Sequence, residues 1–284
     1  MITLHQGDCL EVLPGIESGS IDAVICDPPY PEISRDYGRM TEADWHAMMR
    51  GVVAEVRRVL TPKGSAVFVL QPNSERVGRM RPWLWEFMAW TCREWNMVQD
   101  VWWWNSTSPP TVHCHRTRGL MRPSLKACVW LGDEDCYRNQ GEVLWRESHA
   151  NAAKRASDRF TNDLETRPSS QTMRVKRCVQ AAEDRGGVTP FNVLLVPAAD
   201  SVNSGGAEGH GAGTPPALSD WWVRYITKPG DTVLDPFAGS GTIPLAAYKR
   251  DRNAIGIEKM DKHFATCERR CDAVMNATPL FAEA

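Results

Sequence analysis

The chain of 284 residues balances 33 Lys plus Arg against 35 Asp plus Glu, a formal net charge of −2. That excludes a strongly basic protein holding nucleic acid by bulk charge and leaves room for a local basic face. At 42% hydrophobic and 24% charged residues, it can bury a full core without disulfides or metal. No apolar run reaches the roughly 18 residues of a membrane span, so no membrane partner is expected. The opening Met1-Ile2-Thr3-Leu4-His5-Gln6 lacks a charged-then-apolar leader pattern and reads as a mature start. Nine scattered cysteines, an odd number, fit free thiols in a reducing compartment.

Ile21-Asp22-Ala23-Val24-Ile25-Cys26 reads as a buried strand that stops where Asp27-Pro28-Pro29-Tyr30 begins, because two prolines forbid a central strand. Helical spacing of Trp45, Met48, Met49, Val52, Val53, Val56, Val59 and Leu60 predicts a helix over 42–60, capped by Thr41. Thr61-Pro62-Lys63-Gly64 is a breaker before a strand over 65–70. A helix over 81–94 and strands over 98–104 and 125–131 follow. The first of these two strands ends in Trp102-Trp103-Trp104, expected in the core with one ring exposed. The stretch 133–190 is polar, and 197–216 is a loop rich in Gly, Ala, Ser and Pro. Order returns with a helix over 218–226, a strand over 232–234, a helix over 242–248, a strand over 253–257 and a helix over 261–276. On that last helix Cys267 and Cys271 are expected as core or interface thiols. Strands alternating with helices argue for an α/β fold with a mainly parallel sheet.

Three constellations carry chemistry. In Asp235-Pro236-Phe237-Ala238-Gly239-Ser240-Gly241-Thr242 a strand runs into a glycine turn and then a helix, whose free N–H groups suit an anionic or carboxylate-bearing small molecule; alone, it is equally a plain tight turn. The next strand ends in Glu258, where an acid commonly takes ribose hydroxyls. In Asp27-Pro28-Pro29-Tyr30 the prolines pre-aim a carboxylate and a carbonyl that can both accept from one amino group, and Tyr30 can stack on a planar base.

Together these residues resemble the amino-group DNA methyltransferases that use S-adenosylmethionine. Catalytic motif before cofactor motif, with a polar stretch between them, is similar to the permuted β class of that family. Gly7-Asp8-Cys9-Leu10-Glu11-Val12-Leu13 resembles the segment preceding the catalytic strand there. The likeness covers about 1–132 and 190–276. It implies a Rossmann-like, mainly parallel seven-stranded sheet with helices on both faces. A catalytic half over 1–132, a target-recognition insert over 133–190 and a cofactor half over 191–284 follow from it. It further implies that Asp8, with Cys9 beside it, meets the cofactor's adenine, that Glu258 holds the ribose, and that Asp235, Pro236 and the turn 237–242 surround the methionine portion. Asp27 and Pro28 would accept from the target amine, with Pro29 fixing the loop and Tyr30 stacking on the base. His210 and Thr214 would meet the methionine end, although the segment His210-Gly211-Ala212-Gly213-Thr214-Pro215-Pro216 departs from the family's pattern at Gly211 and lacks its usual lysine.

The implied reaction is methylation of the 6-amino group of adenine in double-stranded DNA. Asp27 favours adenine by the resemblance, since cytosine-modifying members often carry serine there. Cytosine 4-amino or RNA methylation, and a non-catalytic DNA-binding relative, are the rivals. A homodimer and a companion restriction nuclease stay open, and the setting implied is the cytoplasm of a bacterial or phage-infected cell. DNA phosphates are expected at Lys154, Arg155, Arg174, Lys176 and Arg177, whose other reading is a solvated helical face, and at Arg116, Arg118 and Arg122. His113-Cys114-His115 has no second pair at finger spacing, so no metal is expected.

Overall fold

The computed structural model describes residues 1–35, 37–105, 119–145, 184–196 and 214–276. The chain divides into two units, Met1–Arg138 with Asn192–Ala284, and Asn139–Phe191. In chain order the larger unit holds β1 (Ile2–Gln6), α1 (Cys9–Val12), β2 (Ile21–Cys26), α2 (Glu42–Val59), β3 (Leu60–Leu70), β4 (Ser74–Arg76), β5 (Arg79–Met80), α3 (Trp83–Glu94), β6 (Met97–Trp104) and β7 (Leu125–Gly132). It continues with β8 (Val193–Leu194), α4 (Pro216–Ile226), β9 (Thr232–Asp235), α5 (Thr242–Tyr248), β10 (Asn253–Glu258) and α6 (Asp261–Met275).

The sheet is Rossmann-like and mainly parallel, in the order β1-β10-β9-β2-β3-β7-β6-β8. Among the described residues, β7 alone runs against its neighbours β3 and β6. The sheet has eight described strands rather than seven, because Val193–Leu194 adds a short parallel edge beside Trp102 and Trp103. Central strands carry near-continuous apolar runs because both faces are covered. Alternation along β2 sends Ala23 and Ile25 to one side, where they pack with Leu218, Trp222, Val223 and Ile226 of α4. Val24 and Cys26 face the other side, with Trp45, Met49 and Val52 of α2 and Phe87 of α3.

The expected elements form with small shifts. Thr41 caps α2, its hydroxyl accepting from the Asp44 N–H at 3.1 Å. The α3 helix begins at Trp83, after Pro82. The expected break at residues 61–64 lies inside the extended run of β3, yet pairing does skip it: Ile21 faces Leu60 and Ala23 already faces Ser65. Pro62 has no N–H to give a ladder, so this stretch loops out of register. Strand β1 has no expected counterpart, because only Ile2 of its five residues is buried and no apolar alternation marks it. Trp103 is buried and Trp104 exposed, and Cys267 and Cys271 are core residues.

The smaller unit is described at residues 139–145 and 184–191. There a one-turn helix, Gln140–Val143, precedes an isolated antiparallel bridge between Trp145 and Val188. The Trp145 ring meets Phe191 edge-on at 5.0 Å. Residues 197–213, most of the expected loop, and His113-Cys114-His115 lie outside the described residues.

Candidate active site

Two strand ends build the site. β2 and β9 are parallel neighbours, Ala23 beside Val233 and Val24 beside Leu234. Their carboxyl ends therefore lie side by side, which brings Asp27 next to the turn that follows Asp235. β10 and β1 continue the row, with Glu258 opposite Gln6 and Asp8 two residues further on. Ligands of open α/β sheets bind outside the carboxyl ends of strands. Here that region is a cleft of about 730 Å³, within the usual range for small-molecule sites.

The Asp27 loop is tied down from beneath by aromatic residues. Trp45 of α2 donates its indole N–H to the Pro29 carbonyl at 2.6 Å. Trp83 of α3 donates to the Asn73 side chain at 3.1 Å, and Asn73 in turn donates to the Pro31 carbonyl at 2.8 Å. The two rings meet edge-on at 4.7 Å, and the Tyr30 ring stacks on Trp83 at 6.2 Å.

Asp27 is surrounded by donors. Its Oδ1 accepts from the Tyr30 hydroxyl. Its Oδ2 accepts from the Thr214 hydroxyl at 3.1 Å and from Lys126 Nζ at 3.4 Å. Burial pushes the Tyr30 phenol well above its ordinary value, with the Asp27 charge adding to it, so the phenol keeps its proton and remains a donor.

On the cofactor side, Gly239 (φ 52°) and Gly241 (φ 81°) take left-handed conformations that let the chain turn from β9 into α5. Glu258 locks this turn, accepting from the Gly239 N–H at 2.8 Å on one oxygen and from the Met260 N–H at 2.7 Å on the other. Burial pushes the Asp235 carboxyl well above the ordinary range, and the charges of Glu258 and Asp27 push it further; the Phe237 N–H, donating at 3.0 Å, opposes them. At Asp8 burial also disfavours the charge, but Lys259 at 2.9 Å and the Leu10 N–H outweigh it, and the carboxyl sits below its ordinary value. Beside it, burial and the Asp8 charge raise the Cys9 thiol to about 12, so it stays neutral.

Of the expected site residues, Asp27, Pro28, Pro29 and Tyr30 line the cleft together with Asp8, Cys9, Thr214 and Glu258. So do Asp235, Pro236, Phe237, Ala238, Gly239, Ser240 and Thr242. Gly241 instead faces α6, where an added Cβ would lie 2.7 Å from Cys267 Sγ. Arg122 is exposed on the segment leading into β7. His210, Arg116, Arg118, Lys154, Arg155, Arg174, Lys176 and Arg177 lie outside the described residues. Among the described residues no cluster of three or more His, Cys, Asp or Glu could hold a metal ion, and no helix is long and apolar enough to cross a membrane. Lys126 is a site residue that the sequence reading passed over. Its only sequence signal is a lone cation at the second position of an otherwise apolar strand.

A model of a DNA methylase family, the amino-group methyltransferases of adenine N6 and cytosine N4, matches residues 21–269. The chain belongs to this family. It is 28% identical over 279 residues to the DNA adenine methyltransferase YhdJ of Escherichia coli K12, covering 95% of this chain and 82% of that protein. It is 27% identical over 271 residues to the type II methyltransferase M.XycI of Xanthomonas campestris pv. cyanopsidis, covering 90% and 83%. Its fold is shared with the cytosine-N4-specific PvuII DNA methyltransferase, at a TM-score of 0.69 and 19% identity over 95% of this chain and 86% of that one. A putative DNA modification methylase of Thermus thermophilus, solved in complex with S-adenosyl-L-methionine, matches at a TM-score of 0.60 and 21% identity over 98% of each chain.

Proposed function

We propose that this family member transfers a methyl group from S-adenosylmethionine to the exocyclic amine of a base turned out of double-stranded DNA. The observation that carries the reading is the single cleft shared by the Asp27-Pro28-Pro29-Tyr30 loop and the turn after Asp235. The residues present fit the donor molecule. Asp8 and Glu258 offer acceptors for adenine amine and ribose hydroxyls at one end, and the glycine turn leaves room for a chain bearing ammonium and carboxylate at the other. When bound, that molecule supplies a methyl carbon on a sulfonium, whose C–S electron pair leaves with sulfur as the N–C bond forms.

The protein's work is positioning. An exocyclic amine is a weak nucleophile because its lone pair is delocalised into the ring. The Asp27 carboxylate and the Pro28 carbonyl accept from its two N–H groups and draw it toward tetrahedral geometry. They also stabilise the positive charge that develops on nitrogen before it sheds a proton. Turning a base out of the stack costs a few kcal/mol, which stacking against Tyr30 offsets. We assign DNA phosphates to Arg116, Arg118 and Arg122 and to Lys154, Arg155, Arg174, Lys176 and Arg177. The separate unit Asn139–Phe191 supports a recognition insert over about 133–190.

Asp27 and the likeness to YhdJ support adenine N6 as the target. The fold shared with the cytosine-N4-specific PvuII enzyme supports cytosine N4 as the second reading. Incubating the protein with methyl-labelled donor and unmethylated genomic DNA, then separating the nucleosides and mapping the modified sites, tests both. N6-methyladenine is the expected product. N4-methylcytosine replaces the target, and unlabelled DNA removes the activity. In the same assay Asp27→Ala should keep donor affinity and lose at least roughly 100-fold in transfer, the scale of a lost transition-state contact.

A further inference from the structure

Lys126 reaches the catalytic loop through strand register. β3 lies parallel to β2, with Cys26 beside Phe68, and antiparallel to β7, with Leu70 beside Ala127. The amino end of β7 therefore arrives at the edge where β2 ends and Asp27 begins. Alternation along β7 places Lys126 on the face of Cys128 and Trp130, which looks toward α4. Its side chain is only 12% exposed. The ammonium donates to the Tyr30 hydroxyl at 3.1 Å and to Asp27 Oδ2 at 3.4 Å. It also stands 5.4 Å from the centre of the Tyr30 ring and 5.3 Å from that of Trp103.

A cation so enclosed is costly unless it is paired, and Asp27 pairs it. The pair is neutral as a unit, and it fixes where each partner sits. A carboxylate has about four acceptor positions. Tyr30 takes one on Oδ1, and Lys126 with Thr214 takes two on Oδ2, so the direction of the remaining one is fixed. Lys126 also holds Tyr30: it donates to the phenol oxygen while the phenol proton goes to Asp27. Carboxylate and ring are thereby set together.

We propose that Lys126 is a positioning residue for methyl transfer, acting through Asp27 and Tyr30 to aim the acceptor that meets the target amine. The proposal rests on the reading given above. Its test is single-turnover transfer to a duplex carrying the mapped site, donor affinity by calorimetry, and fluorescence of 2-aminopurine substituted at the target base. Lys126→Met should slow transfer at least ten-fold while donor affinity and 2-aminopurine fluorescence stay within two-fold. Lys126→Cys treated with 2-bromoethylamine, which rebuilds an ammonium of nearly the same length, should recover at least a third of the wild-type rate, with equally treated wild type as control. Transfer by Lys126→Met within two-fold of wild type overturns the proposal. So does a parallel loss of donor affinity or of folding in that variant, or an aminoethylated cysteine variant that stays as slow as methionine. Wild-type protein that methylates no DNA sinks the function itself, whereas a fast Lys126→Met sinks only the role of this lysine.

Discussion

Four carboxylates, Asp8, Asp27, Asp235 and Glu258, stand at one edge of the sheet, and the surroundings of two of them, Asp8 and Asp235, shift them in opposite directions. Asp8 is held ionised by Lys259 and is partly exposed, as suits an acceptor for an incoming amine. Asp235 is 2% exposed and has one backbone N–H on Oδ1. Burial raises its folded value above the ordinary 3.8. The unfolded chain therefore releases this proton first, and the site destabilises the fold increasingly as pH climbs from about 4 toward the folded value. Asp235→Asn keeps the acceptor for the Phe237 N–H and removes the ionisable group. Its stability relative to wild type should match below about pH 4 and then rise with pH, by at most about 1.4 kcal/mol per unit. Urea melts from about pH 4 to 8 check this, and a constant difference across that range refutes it.

At the level of elements, what could be read from the sequence was chemistry confined to one turn. Asp27-Pro28-Pro29-Tyr30 and the glycine turn each carry their own strand end, so their positions and the cleft they share follow from two parallel neighbours. Lys126 was hidden because its partners lie 96 and 99 residues away, and the predicted strand that carries it gives no local sign of its antiparallel pairing. β1 was hidden because its exposed side chains carry no periodicity. Gly241 shows how the glycine turn depends on an element that enters later. It caps α5 at φ 81°, and Cys267 of α6 fills the space where a Cβ would go. Two effects therefore oppose Gly241→Ala: a left-handed backbone costing about 1–2 kcal/mol, and overpacking costing about 1–3 kcal/mol. Gly241→Ala alone should lose about 2–5 kcal/mol, and adding Cys267→Ala should recover only the overpacking part. Denaturant melts of the four members of this cycle measure the split; additive losses would show that α6 does not press on the turn.

For the whole molecule, charge decides where DNA can be held. Net charge is −2, and two of the cations lining the cleft are already paired with its carboxylates, Lys126 with Asp27 and Lys259 with Asp8. Grip must come from cationic side chains elsewhere on the chain. Sequence places them densely at Arg174, Lys176 and Arg177, in a stretch with few large apolar residues and a basic excess. Each phosphate contact releases bound counterions, so the slope of log affinity against log salt is about −0.9 per contact on duplex DNA. Replacing all three by Gln should flatten that slope by about 2–3 and weaken binding most at low salt. Donor affinity should stay unchanged, because the cleft's lining among the described residues includes none of the three. Fluorescence anisotropy of a labelled duplex between roughly 50 and 200 mM salt reads the slope. An unchanged slope would move the phosphate contacts to the second basic group, Arg116, Arg118 and Arg122, where the same substitution series should then flatten it.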